Sequence, residues 1–207
     1  MKKLGLLLFV VSLAASGCGG EKGSATLWVT RDRGRHVLVV AQVPAGLTAM
    51  QALDRKAKIE TSYGGRFVTA IDGVASATQH DWFYFVDGIQ PSRGAAEVRL
   101  HEGDVLWWDY RSWRQPNEVQ AVVGSFPQPF LRGPAVVVGA EAVAAKLARI
   151  VHGRVAASVP RSGYVLEVRS GAGFRALDAR RFVIGPRAAA RLVANPSAFR
   201  FRYAVAP

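Results

Sequence analysis

Two short stretches place a histidine beside a carboxylate, His80-Asp81 and His101-x-x-Asp104. A general base must lie within hydrogen-bond reach of the proton it takes, and a neighbouring carboxylate can fix its tautomer. Both pairs fall at expected strand ends or turns, where polar side chains belong anyway. No catalytic residue is assigned from them, and the chain is expected not to be an enzyme. The sequence has no His-Glu-x-x-His and no Gly-x-Ser-x-Gly, so metalloprotease and serine-hydrolase chemistry lacks its usual residues. Gly171-Ala172-Gly173 follows an expected strand in the manner of a dinucleotide fingerprint. Another strand-like run begins at Arg181, too soon for a crossover helix, so these glycines read as a turn. One cysteine and four histidines leave little material for a metal centre, and none is assigned.

The single cysteine fits a different chemistry. Lys2-Lys3 precedes an apolar run from Leu4 to Val11, then Ala15-Ser16-Gly17-Cys18. This pattern resembles a bacterial lipobox, in which cleavage before the cysteine is coupled to lipidation of its sulfur. Residues 1–17 are therefore expected to be a lipoprotein signal peptide, Cys18 the lipidated residue and 18–25 a flexible polar tether. The apolar run is shorter than the roughly 20 residues needed to span a bilayer. The expected location is the extracytoplasmic face of the cell membrane, with a lipid anchor. In that compartment nucleic acid is not an expected partner.

Aromatic residues carry the strongest binding signal. Side chains alternate across a strand, so Trp82 and Tyr84 share one face and Phe83 and Phe85 the other. Trp107 and Trp108 likewise point to opposite faces. With the phenylalanines toward the core, Trp82 and Tyr84 form a partly exposed platform suited to a flat conjugated ligand or a protein partner. The alternative is that a second domain covers these rings.

The elements that position them divide the chain. The sequence has 207 residues and a net charge of +12. A Pro/Gly-rich stretch at 116–134 is expected to be a linker between a domain at 26–115 and a smaller one at 135–207. From Cys18 to Gln115 the net charge is +1; from Pro116 to Pro207 it is +9. All five tryptophans precede the linker. In the first domain, Thr26–Thr30 and His36–Val43 read as a hairpin. Thr48 with Gln51 forms a capping box for a helix of about three turns. Strands are expected at Arg66–Ile71, Trp82–Val86, Ala96–Leu100 and Val105–Arg111. The second domain reads as a strand at Pro134–Gly139, a helix over 140–152 capped by Gly153, and strands at Tyr164–Arg169 and Arg181–Ile184. A helix from Pro186 and a final strand over Phe199–Tyr203 follow. That β-α-β-β-α-β order is the order of a ferredoxin-like unit. The expected fold class is α+β. Lys146, Arg149 and His152 share a helix face that is either solvated or in contact with anionic headgroups.

The segments Val43-Pro-Ala-Gly-Leu-Thr48, Tyr63-Gly64-Gly65-Arg66 through Gly73, Asp81-Trp82-Phe83-Tyr84-Phe85-Val86-Asp87-Gly88 and Gly103-Asp104-Val105-Leu106-Trp107-Trp108-Asp109-Tyr110 occur in this order. Together they resemble the transcobalamin-like C-terminal domain, known in bacteria as DUF4430. The resemblance covers about residues 26–113. It implies a β-grasp-like fold. In the vertebrate vitamin B12 carriers this domain packs against one face of the corrinoid, and a helical domain with no counterpart in these 207 residues supplies the rest. By resemblance the Tyr63 loop lies near the ligand. Tyr63, Arg66, Trp82, Tyr84 and Trp108 are the candidate ligand-binding residues. The expected function is an exported binding protein that takes a cobalamin-type corrinoid or related cofactor for a membrane importer. The alternative is a surface scaffold or interaction module without a small ligand.

Overall fold

The computed structural model describes residues 22–114, 119–139 and 141–204. The expected signal peptide, Cys18 and the tether up to residue 21 lie outside the described residues. The fold is mixed α+β, mostly sheet with few helices.

The first sheet has the order β2-β1-β7-β6. β1 (Ser24–Arg31) and β2 (His36–Pro44) form the expected antiparallel hairpin. β7 (Val105–Ser112) pairs parallel to β1 and antiparallel to β6 (His80–Val86). The parallel pair needs a crossover, and α1 (Ala49–Asp54) lies within it. The capping box forms as the sequence predicts: Gln51 N–H donates to Thr48 Oγ1 at 3.1 Å and Thr48 N–H donates to Gln51 Oε1 at 2.9 Å. The helix is shorter than expected and ends at Asp54. A small sheet of β3 (Ile59–Ser62), β4 (Phe67–Ile71) and β5 (Val74–Ala75) follows it. Ala96–Leu100 is not the strand that its composition suggests. It is a turn with one bridge, Arg99 to Thr48, in which Val98 and Leu100 contact the first core.

The second sheet has the order β11-β12-β10-β8-β9. β8 (Ala135–Val138), β9 (Arg154–Ala156), β10 (Tyr164–Val168) and β12 (Arg181–Ile184) run parallel, and only β11 (Phe174–Ala176) is antiparallel to its neighbour. α2 (Glu141–Ile150) connects β8 to β9, and α3 (Pro186–Ala194) follows β12. Two short strands missing from the sequence reading, β9 and β11, set this parallel arrangement, which departs from the antiparallel pairing of a ferredoxin-like unit. The expected last strand over 199–203 does not form either. Phe201 has φ 62, which interrupts extended backbone. Its alternating aromatics serve packing instead: Phe199 lies edge-on to Phe174, whereas Phe201 and Tyr203 lie against Trp28 and Trp107. At the end of α2, His152 rather than Gly153 takes the left-handed conformation (φ 50). Gly153 is needed for closeness, because a Cβ there would meet the Ala135 carbonyl oxygen at 2.5 Å.

Three cores result. One lies between α1, β4 and the first sheet, and includes Leu27, Leu53, Trp82 and Trp108. Another joins the second sheet to α2 and α3 through Leu147, Leu166, Phe182 and Leu192. Between them Trp28, Phe85 and Trp107, on the far face of the first sheet, meet Val119, Val122 and Tyr203. The described part of the stretch expected as a linker is therefore packed. Val119, Val122, Phe126 and Phe130 are buried in the two cores rather than exposed.

Candidate functional site

The strand alternation is as the sequence predicts, but the faces are reversed. Trp82 and Trp108 belong to the core beneath α1, while Phe85 and Trp107 lie on the opposite face against the C-terminal segment. The phenylalanines do not face the helix because the aromatic side chains of 199–203 cover their side of the sheet. Trp82 is thus only 5% exposed rather than part of an open platform.

The face that Trp82 and Trp108 occupy is nevertheless open at one end. A cleft of about 210 Å³ lies there, lined by Arg66, Phe67, Trp82, Tyr84, Gln90 and Trp108 among others. Four of the five residues chosen from the sequence meet in it. Tyr63 is 83% exposed and does not line the cleft, but its ring lies edge-on to that of Phe67, with centroids 6.4 Å apart. Gly64 and Gly65, both left-handed, turn the chain between β3 and β4 just after Tyr63.

Ring contacts and hydrogen bonds tie the cleft floor to its neighbours. The Tyr84 ring is stacked on Trp108 at 5.0 Å, and Trp82 is tilted against Tyr110 at 5.2 Å. Trp82 Nε1–H donates to the Val74 carbonyl at 2.9 Å, Tyr110 O–H to the Ala75 carbonyl at 3.0 Å and Tyr84 O–H to the Arg93 carbonyl at 2.5 Å. Burial pushes the Tyr84 hydroxyl up to about 12, so it remains a donor across the physiological range. β5 therefore fixes two rings of this row by accepting their polar hydrogens.

Two buried polar atoms in this lining are not satisfied. Trp108 Nε1 and Gln90 Oε1 have no hydrogen-bond partner among the described residues. A buried donor or acceptor left unpaired costs about 1–3 kcal/mol, so a rearrangement of the lining that lets a bound group pair with either is favoured. A carboxamide offers both complements, with its oxygen accepting and its N–H donating.

Gln90 and Phe67 were not among the residues chosen from the sequence. Phe67 is an exposed apolar residue on a short strand, a visible though weak signal. Gln90 follows the Asp87-Gly88 turn and carries none.

The carboxylates of the two histidine–carboxylate pairs accept from backbone and neighbouring side-chain donors. Asp81 accepts from Ser76 Oγ at 2.6 Å and from the Trp82 N–H at 2.8 Å, and His80 is stacked on Tyr110 at 5.7 Å. Asp104 accepts from the His101 backbone N–H at 2.8 Å. Among the described residues, no group of three or more His, Cys, Asp or Glu side chains gathers to hold a metal ion. No helix among them is long and apolar enough to cross a membrane.

The sequence model of the DUF4430 family, a domain of unknown function, matches residues 46–112, and this is the family that the sequence motifs resemble. A candidate metal-binding protein from Ruminococcus gnavus ATCC 29149 has a structure similar to 44% of this chain, with 98% of its own length covered, 17% identity and a TM-score of 0.36. Haptocorrin, solved in complex with Cbi, is similar over the same 44% of this chain at 17% identity and a TM-score of 0.37, and 25% of haptocorrin is covered. The chain thus spans about a quarter of haptocorrin's length. No curated protein matches the chain.

Proposed function

We propose that the chain is an exported, lipid-anchored binding protein whose cleft beneath α1 receives a ligand with an apolar face and a carboxamide group. A cobalamin-type corrinoid, which carries several such amides on its rim, is the candidate, held for a membrane importer. The observation that carries this reading is the cleft itself, an aromatic floor of Trp82, Tyr84 and Trp108, behind which lie one unpaired donor, Trp108 Nε1, and one unpaired acceptor, Gln90 Oε1, that a side-chain rotation on binding would bring to a ligand. The small volume takes a ligand edge, leaving Tyr63 and Phe67 to contact the rest from the mouth. The strand order β2-β1-β7-β6, with β1 and β7 parallel around one helix, supports a β-grasp domain over 26–115. A second domain over 135–207 then packs on the face away from the ligand. The Lys2-Lys3 to Cys18 pattern supports export and anchoring outside the cytoplasmic membrane. The binding chemistry uses no catalytic group.

Equilibrium dialysis of the full chain against cobinamide and cobalamin tests the binding. Saturable uptake is expected. Trp108→Phe, which keeps a ring and removes the N–H, weakens it about tenfold, the worth of one hydrogen bond. Absence of saturable binding below millimolar concentration contradicts the corrinoid assignment. For the anchor, Cys18→Ser is expected to release the protein from the membrane fraction, and retention there contradicts lipidation.

One observation favours a second reading, an interaction module. β2 is an edge strand that leaves Val37, Leu38 and Val40 about half exposed, an edge to which a partner strand can add.

A further inference from the structure

On the opposite side of the first sheet from the aromatic cleft, a second concavity of about 410 Å³ opens between the β1–β2 turn and the C-terminal segment. Four arginines line it: Arg33 and Arg35 from the turn, Arg191 from α3, and Arg202 from the segment after it. No carboxylate is among its lining residues. Among the described residues none of the four forms an ion pair within 4.0 Å, and the nearby hairpin acid Asp32 is directed at His36 instead, at 3.5 Å. Like charges gathered in a concave site repel one another and attract a polyvalent anion.

Buried structure holds the backbone of the turn, and one guanidinium, that of Arg191, lies over an aromatic ring. Asp32 and Arg33 are both left-handed, with φ 56 and 60, as in a tight hairpin turn. The turn is tied down by Asp109, fully buried, whose carboxylate accepts from the Arg33 N–H and the Gly34 N–H at 3.1 Å each and from Thr30 Oγ1 at 2.5 Å. On the other wall, Tyr203 is wedged against Phe85 and Trp107, and the Arg191 guanidinium lies 5.0 Å from the centre of the Phe199 ring. Two segments distant in sequence thus bring two arginines each to one place, with aromatic surface beside them.

We propose that this concavity is a second ligand site, which binds a phosphate group carried on an organic molecule. Arginine forks match phosphate oxygens in paired hydrogen bonds, and four of them exceed what a single carboxylate needs. The volume leaves room beyond a bare phosphate, and the half-buried Phe199 supplies apolar surface for what the phosphate is attached to. The carrier is a soluble phosphate ester or a phospholipid headgroup.

Calorimetric titration of the full chain with phenyl phosphate and with inorganic phosphate, alongside sedimentation with vesicles of phosphatidylcholine with and without phosphatidylglycerol, tests the site. For a soluble ester, phenyl phosphate binds one to one and tighter than inorganic phosphate, and the paired substitution Arg35→Gln/Arg202→Gln weakens it at least tenfold. For a headgroup, phosphatidylglycerol raises vesicle binding above the level that the anchor alone gives with phosphatidylcholine, and the same pair removes that increment. Arg154→Gln, on the far edge strand β9, is the control and changes neither. Arg191→Gln, at an exposed helix position, repeats the test should the pair impair folding. The proposal is overturned if neither probe responds to the arginine substitutions, or if Arg154→Gln weakens binding as much as the pair does.

Discussion

Gly34 ties the hairpin turn to the C-terminal segment. A Cβ at this position would lie 2.0 Å from the Phe201 carbonyl oxygen, and its φ is 77. Gly64 has a similar φ of 68 but open space around it. Gly34→Ala therefore carries both backbone strain and a clash with main chain, whereas Gly64→Ala carries strain alone, about 1 kcal/mol. Thermal unfolding of both variants is expected to show the larger loss for Gly34→Ala, and equal losses would mean that the segment does not press on the turn. Residues of this kind were poorly legible in the sequence, since an Arg-Gly-Arg in a hairpin shows that a turn exists but not what lies against it. Trp82, Tyr84, Trp108 and Arg66 were legible, as aromatic and basic residues on strands in a family-like order, and the structure brings them into one cleft. Their exposure was not, because it depends on Phe201 and Tyr203, about a hundred residues further along.

Strands and helices with local signals were found where the sequence placed them: the first hairpin, the capping box at Thr48 and the helix beginning at Pro186. Elements that depend on distant pairing were not, among them β9, β11 and the turn that replaces a strand at Ala96–Leu100. One link between elements carries a pH dependence. Asp87, buried at the end of β6, accepts from the Val105 N–H at 2.7 Å and lies beside Asp104, with Arg132 Nε 2.6 Å from its Oδ2. Burial, reinforced by Asp104, pushes the Asp87 carboxyl from 3.8 up to about 7, and the Arg132 guanidinium opposes this only in part. The folded chain then holds a proton that the unfolded chain releases near pH 4, so stability falls as pH rises from about 4 to about 7. Asp109, also raised by burial, adds to the same trend. Thermal midpoints recorded across this range are expected to decline with rising pH, and Asp87→Asn is expected to shallow the decline without removing it. A midpoint that rises with pH over this window would reverse the assignment.

For the molecule as a whole, composition indicated a neutral aromatic half and an Arg-rich half, and that contrast is present in the structure. What composition could not show is that the halves share a core, in which Trp28, Phe85 and Trp107 of the first sheet pack against Val119, Val122 and Tyr203. The shared core closes one face of the sheet, which leaves the α1 face as the one with an aromatic cleft. Binding of an amide-bearing apolar ligand in that cleft is the central claim, and Gly94 allows it to be tested. Gly94 lines the cleft, and a Cβ added there meets nothing within 4 Å. A side chain at Gly94 therefore starts from the cleft wall without a clash, and Gly94→Phe is expected to obstruct the cleft. Equilibrium dialysis against cobinamide should show saturable binding to the wild-type chain and none to a Gly94→Phe chain with an unchanged thermal midpoint, whereas equal binding by the two would contradict the cleft as the site.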